Sequence, residues 1–301
     1  MPLSSILLVE DSPEDVELTR LALSRAGFRH PLVVAADGAA ALDRLVGGEA
    51  PGPALVLLDL KLPRVDGITV LRELRLRDRT RLVPVVVLTS SAAERDVQDA
   101  YAAGANGYVV KPLDFHTFRE TVADILGAWL GVPRSTSEAL PGRIHGAARG
   151  EDVLVALADA RERELAAAIF ARTTEGAVHR AGSVAAACQV VAAEREHLGH
   201  ILVDAHLPDG AGTEVVKAMR SACGHRVTAA MLAREPSDAE VRACLEATAN
   251  AVAREPRDPA ALEALFTALA RFWLGWNRTP SVGSPSVGSD NGVAIKPAGP
   301  R

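Results

Sequence analysis

Short apolar runs of strand length alternate with segments of helical period along this 301-residue chain, five runs in each half. Parallel strands need a long crossover connection, usually a helix, and strands covered by helices on both faces are apolar throughout rather than alternating. The pattern therefore predicts βα units feeding parallel sheets. Strands are expected near residues 6–9, 32–35, 54–58, 83–88 and 107–110, with a last helix over about 114–130. They are expected again near 153–157, 177–181, 200–203, 227–232 and 249–253, with a last helix over about 258–276.

The two halves repeat each other in order. Leu18 aligns with Leu165, Ala41 with Ala186, Asp59 with Asp204, Pro112 with Pro256, and Trp129-Leu130-Gly131 with Trp273-Leu274-Gly275. One nearly constant spacing through so many positions marks an internal repeat of domain size. Residues 133–150, PRSTSEALPGRIHGAARG, are rich in Pro, Ser and Gly and read as a linker. The segment after Arg278 repeats PSVGS, lacks core-forming residues and is expected to be disordered. The expected boundaries are 1–132, 133–150, 151–277 and 278–301.

A 48% hydrophobic content is ample for two packed cores, and the net charge of −5 argues against a broadly basic nucleic-acid-binding surface. No stretch is both long and apolar enough to cross a bilayer, so neither DNA nor a membrane is an expected partner. The opening MPLSSILLVEDSPED lacks a charged n-region and a cleavage site, which predicts a cytoplasmic protein. Cys188, Cys223 and Cys244 show no CxxC spacing and read as small apolar residues rather than a disulfide framework or thiolate zinc site.

Ligands of open parallel sheets bind beyond the carboxyl ends of the strands. In the first half those positions hold Glu10 and Asp11, Asp59, Thr89 and Lys111. Carboxylates converging at one edge repel unless a cation neutralises them, and an all-oxygen set suits Mg²⁺. A lysine and a hydroxyl on the same edge supply what a transferring phosphoryl group needs, a fixed positive charge and a hydrogen-bond donor. Asp59 is then the attacking nucleophile and would carry an acyl phosphate.

This set resembles the receiver domain of two-component response regulators, through Glu10-Asp11, Asp59 with Pro63 and Gly67 after it, Thr89-Ser90, and Tyr108-Val109-Val110-Lys111-Pro112. The match spans about residues 4–130. It implies a five-stranded doubly wound, flavodoxin-like (βα)5 fold, here twice in tandem, that takes a phosphoryl group from a histidine kinase onto Asp59 with Mg²⁺. By the resemblance Asp11, Asp59 and the main-chain carbonyl of Lys61 hold the metal, with Glu10 acting through water. Thr89 and Tyr108 form the switch, and a cis bond between Lys111 and Pro112 is implied as well. A phosphatase of the haloacid-dehalogenase type also pairs a nucleophilic Asp with Thr, Lys and Mg²⁺, but needs a second Asp where Lys61 stands.

In the second half Leu157 and Ala158 stand in place of Glu10 and Asp11, Ala233 in place of Thr89, Val252 in place of Tyr108 and Glu255 in place of Lys111. Only Asp204 survives, so this half is expected to be a pseudo-receiver that packs or binds a partner. A histidine metal site from His197, His200 and His206 is the alternative use of its strand end. No effector domain fits after Gly131, so output is expected by protein contact, with no enzyme activity beyond self-phosphorylation and self-dephosphorylation at Asp59. A scaffold with vestigial phosphorylation is the other reading. The EDSPED opening and the aromatic-ended helices AWLGVP and FWLGWNRTP resemble small response regulators of phytochrome-type histidine kinases that dimerise through that region. They imply a homodimer through the C-terminal helix regions, involving Trp129, Trp273 and Trp276; helix-end core packing of these residues in a monomer, and an intramolecular pair of halves, are the other readings.

Overall fold

The computed structural model describes residues 5–25, 28, 30–47, 52–130 and 151–280. The expected linker at 133–150 and the expected tail beyond residue 280 lie outside the described residues.

The first half runs β1 (Ile6–Val9), α1 (Pro13–Arg25), β2 (Leu32–Ala35), α2 (Gly38–Gly47), β3 (Leu55–Leu58), α3 (Gly67–Arg75), β4 (Val85–Thr89), α4 (Glu94–Ala102), β5 (Gly107–Val110) and α5 (Phe115–Leu130). The second runs β6 (Asp152–Ala156), α6 (Ala160–Ala171), β7 (Val178–Ala181), α7 (Val184–Ala193), β8 (Leu198–Asp204), β9 (His206–Leu207), β10 (Gly210–Ala211), α8 (Gly212–Cys223), β11 (Thr228–Ala233), α9 (Asp238–Glu246), β12 (Ala251–Arg254) and α10 (Pro259–Arg271). The sheets have the orders β2-β1-β3-β4-β5 and β7-β6-β8-β11-β12, all strands parallel within each. Both are thus wound outward from their first strand in the same order. The strand β1 is ILLV and β3 is LVLL, buried at every position, as strands covered on both faces must be.

Two departures from the sequence reading have local causes. The last helix stops at Arg271 and passes into a π-helical turn, Phe272–Trp276, where Gly275 and three bulky aromatics interrupt the regular ladder. The turn buries Phe272 and Trp273 against the first half. Among the described residues no peptide bond is cis, so the implied cis bond at Lys111–Pro112 is not present. The trans form of an X–Pro bond is the cheaper one by about 0.5–1 kcal/mol, and here the chain turns from β5 into α5 without departing from it.

The halves share a core. Ile6, Leu8, Val109, Phe118, Ile125 and Leu126 from the first half and Phe170, Leu265, Phe266, Phe272 and Trp273 from the second belong to one buried cluster. The helices α5 and α10 pack across this seam, and Trp129 lies 5.5 Å from Trp273 between ring centroids. Fully burying a Leu or Phe contributes about 1.5–3 kcal/mol, so a seam of this composition is a substantial part of the fold. Trp129 and Trp273, two of the aromatics expected at a homodimer contact, pack on each other within one chain. Arg278, expected to open the disordered tail, is held by a backbone bond to the Tyr108 carbonyl at 2.8 Å because the π-helical turn aims the chain back across β5.

Candidate functional site

Strand β3 ends at Leu58, which places Asp59 at the carboxyl edge of the first sheet between β1 and β4. The Asp59 amide donates to the Val9 carbonyl at 3.0 Å, and Gly67 closes the loop behind it by donating to Leu60. A side chain at Gly67 would collide with the Asp59 carbonyl, so the turn needs glycine for its closeness rather than its torsion angles. The β1 end brings Glu10 to the same edge, and β5 brings Lys111, whose amide donates to the Thr89 carbonyl at 2.7 Å.

The centre of the edge is the Lys111 ammonium. It bonds Glu10 Oε2 at 2.6 Å, Asp15 Oδ2 at 2.6 Å and Asp59 Oδ2 at 3.0 Å. Burial alone would lower the Lys111 pKa, but the bonds to Asp15 and Glu10 and the Asp59 charge outweigh it and hold the ammonium above its ordinary value. Burial drives Glu10 the other way, above the usual carboxylate range, against the pull of Lys111. Three carboxylates against one ammonium leave an excess of two negative charges, which is the deficit a divalent cation fills. The donor set is oxygen throughout and fits a hard cation. Asp11 and Lys61 are exposed beside this cluster, and the Lys61 amide donates to Asp59 Oδ1 at 3.2 Å.

Thr89 is buried at the end of β4, and its hydroxyl accepts a long bond from the Ser91 amide at 3.4 Å. Tyr108 is buried too, with its hydroxyl donating to the Ser91 carbonyl at 3.0 Å and its pKa pushed up to about 12 by burial. The structure therefore gathers Glu10, Asp59 and Lys111 directly and joins Thr89 to Tyr108 through Ser91. Sequence reasoning missed Asp15 and Ser91. Asp15 lies in the quoted EDSPED stretch, but an acid in the first turn of α1 reads as an ordinary helix-dipole partner.

At the second edge the backbone repeats and the chemistry does not. The Glu255 amide donates to the Ala233 carbonyl, as Lys111 does to Thr89, and Gly212 approaches the Asp204 carbonyl as Gly67 approaches Asp59. These contacts place Asp204, Ala233 and Glu255 at the positions of Asp59, Thr89 and Lys111. The cation here is Arg234, which pairs with Glu255 and with Glu162. Asp204 Oδ2 accepts from the Ala158 amide at 2.6 Å, Ala158 being the residue that stands in place of Asp11. Burial pushes the Asp204 pKa up to about 6, with the Glu255 charge adding to the rise.

The three histidines near Asp204 do not converge. His200 is buried, its Nδ1 within 2.8 Å of the Thr228 hydroxyl, with its ring stacked on Phe170 and Trp273. His206 is exposed and faces Glu240. Residues 200 and 206 lie on either side of the turn at Asp204, and of the two only His200 points into the seam, so they do not share a site.

Comparison with known proteins places the first half in company. The family description "response regulator receiver domain" matches residues 6–123. The probable methanogenesis regulatory protein FilR2 of Methanothrix harundinacea is 44% identical over 137 residues, covering 44% of this chain and 88% of that protein. Response regulator Rcp1 of Synechocystis sp. is 39% identical over 133 residues, covering 43% of this chain and 90% of that protein. The crystal structure of the Mn²⁺-bound form of response regulator Rcp1 aligns with 46% of this chain and 99% of its own, at 37% identity and a TM-score of 0.40.

Proposed function

The chain belongs to the response regulator receiver family, and from that premise we propose that it accepts a phosphoryl group from a sensor histidine kinase on Asp59 and signals by protein contact. The observation that carries this reading is the Lys111 ammonium bonded to Glu10, Asp15 and Asp59 at one sheet edge. Asp59 attacks the phosphorus in line, the donor histidine leaves with the bonding pair, and Lys111 offsets charge on the phosphoryl oxygens. Thr89, moving from its long bond with Ser91, supplies a further donor.

Receiver domains bind Mg²⁺ or Mn²⁺ at such acidic sites. In this chain Asp11, Asp59 and the Lys61 carbonyl would hold the metal, with Glu10 acting through water. When bound, it supplies positive charge to the transferring group.

The first half, 1–132, is proposed as the receiver and residues 151–277 as a pseudo-receiver, since Arg234 is already paired with Glu255 and Glu162 while Asp204 is capped by Ala158. A phytochrome-type kinase is the proposed donor class, on the EDSPED opening. The homodimer through the C-terminal helices gives way in this reading to an intramolecular pair, because Trp129 and Trp273 pack on each other within one chain.

The test is incubation with acetyl phosphate and Mg²⁺, followed by mapping of the acid-labile adduct. Label confined to Asp59 supports the reading. Label surviving in Asp59→Asn defeats it, and turnover of small phosphoesters would restore the phosphatase.

A further inference from the structure

The seam between the halves has the form of a contact between two copies. Asn106 Nδ2 donates to the Asn250 carbonyl at 2.9 Å, and Asn250 Nδ2 returns a bond to the Asn106 carbonyl at 3.2 Å. Each asparagine is oriented by equivalent partners. Asn106 Oδ1 accepts from Arg75 and the Val85 amide, and Asn250 Oδ1 from Arg220 and the Ala229 amide. Reciprocal contact of equivalent residues is the mark of an isologous interface, here formed inside one chain.

One part of the seam breaks this symmetry. After the π-helical turn, Asn277 bridges Val109 on the edge of β5, and its Oδ1 accepts from both the Tyr108 amide and the Tyr101 hydroxyl at 2.9 Å. The Arg278 amide donates to the Tyr108 carbonyl, and its guanidinium reaches the Ala92 carbonyl at 2.9 Å. The loop of residues 89–92, which carries Thr89 beside Asp59, is thus held at Ser91 by Tyr108 and at Ala92 by Arg278. A continuous path of hydrogen bonds leads from the phospho-acceptor edge to the second half.

The seam is also incompletely satisfied. Among the described residues, Trp129 Nε1, Trp273 Nε1, Arg271 Nη2, Asn277 Nδ2 and His200 Nε2 are buried without a hydrogen bond, Arg271 Nη2 having only the Glu120 carboxylate at 3.7 Å. All five lie at or against the seam, whereas interiors ordinarily pair nearly all such atoms. An interface left below its attainable affinity can be shifted by a modest input.

We propose that Asn277 and Arg278 form a strap from the second half that couples, through Tyr108 and Ala92, to the loop beside Asp59, so that the state of that loop and the hold of the strap on β5 change together. The proposal rests on Asp59 being the phospho-acceptor. A phosphoryl group that draws Thr89 toward Asp59 moves Ser91, Tyr108 follows, and the β5 edge loosens its hold on the strap. By linkage, a looser strap favours the phosphorylated state by the same factor.

The test uses the full chain, as wild type and as Asn277→Ala, Arg278→Ala and Gly107→Ala. The last acts from the first-half side, since a Cβ at residue 107 would stand 3.0 Å from the Phe272 ring and 3.2 Å from Asn277 Oδ1. Each is treated with acetyl phosphate and Mg²⁺, and adduct yield is measured beside amide exchange in peptides covering residues 272–280. The expected result is at least about fivefold faster strap exchange in labelled wild type, and a higher adduct yield in the variants than in wild type under the same conditions. Labelled wild type with unchanged strap exchange would overturn the proposal while leaving Asp59 as acceptor. No adduct on wild type would overturn both. Light scattering should give the mass of one chain, and a dimer of unlabelled protein would let the strap come from a second copy and defeat the assignment in cis.

Discussion

The edges at Asp59 and Asp204 are built on the same backbone and differ in who neutralises whom. At Asp59 one half-buried lysine faces three carboxylates, and the site keeps an excess of negative charge. At Asp204 the acid pair is gone, the lysine position is an acid, and the exposed Arg234 pairs with Glu255 and Glu162 and only partly offsets the rise of the Asp204 pKa. In the reading proposed above, backbone geometry alone does not make a phospho-acceptor. The edge must also hold charge that local pairs have not already cancelled.

The sharpest way to break the comparison is the pair Asp59→Asn and Asp204→Asn. Acetyl phosphate labelling, followed by mass spectrometry, should vanish in the first and persist in the second. Next in size is Lys111→Met, which should lower labelling about 10²-fold by removing the fixed positive charge, while Arg234→Met should leave it unchanged. Equal losses in the two would mean that the edges are coupled.

Metal comes third. At 100 times its dissociation constant, Mg²⁺ or Mn²⁺ should stabilise the chain by about 2.7 kcal/mol, read as a rise in thermal midpoint. Asp11→Asn should erase the rise and Asp204→Asn should not.

The smallest effect is the pH dependence of Asp204. Its folded pKa of about 6 lies above the ordinary aspartate value, so the native state holds its proton more tightly than the unfolded chain does. Its contribution favours folding below about pH 4 and is lost as pH rises through 6. Asp204→Asn keeps an acceptor for the Ala158 amide and should stabilise the protein at pH 7 by about 1–2 kcal/mol, with a flatter profile between pH 4 and 6. Denaturant titrations across that range check the sign. The wild-type slope from this group should be negative, and an unaltered profile in the variant would remove Asp204 as its source.

Much of this was legible in the residues. Apolar runs such as ILLV and LVLL announce covered strands because no face of them could sit in water, and Glu10, Asp59 and Lys111 follow those runs directly. Asp15 was not legible as a site residue, since its helix position explains it equally well. Nor were Asn106 and Asn250, polar residues in loops that sequence spacing leaves unassigned. The π-helical turn at Phe272–Trp276 was hidden inside a helical pattern, because Gly275 and the aromatics around it leave the helical period of the sequence intact.

The sequence by itself determined the two parallel sheets and the identity of the intact edge, since hydrophobic periodicity and the order of residues after each strand are local properties. Tertiary structure alone decided that Lys111 bridges three acids, that Asp204 is capped, and that Asn277 and Arg278 return to Tyr108 and Ala92. The first two depend on contacts within one half, and the last on contacts between residues as far apart as Tyr101 and Asn277. The latter form only when both halves are folded and their shared core is closed.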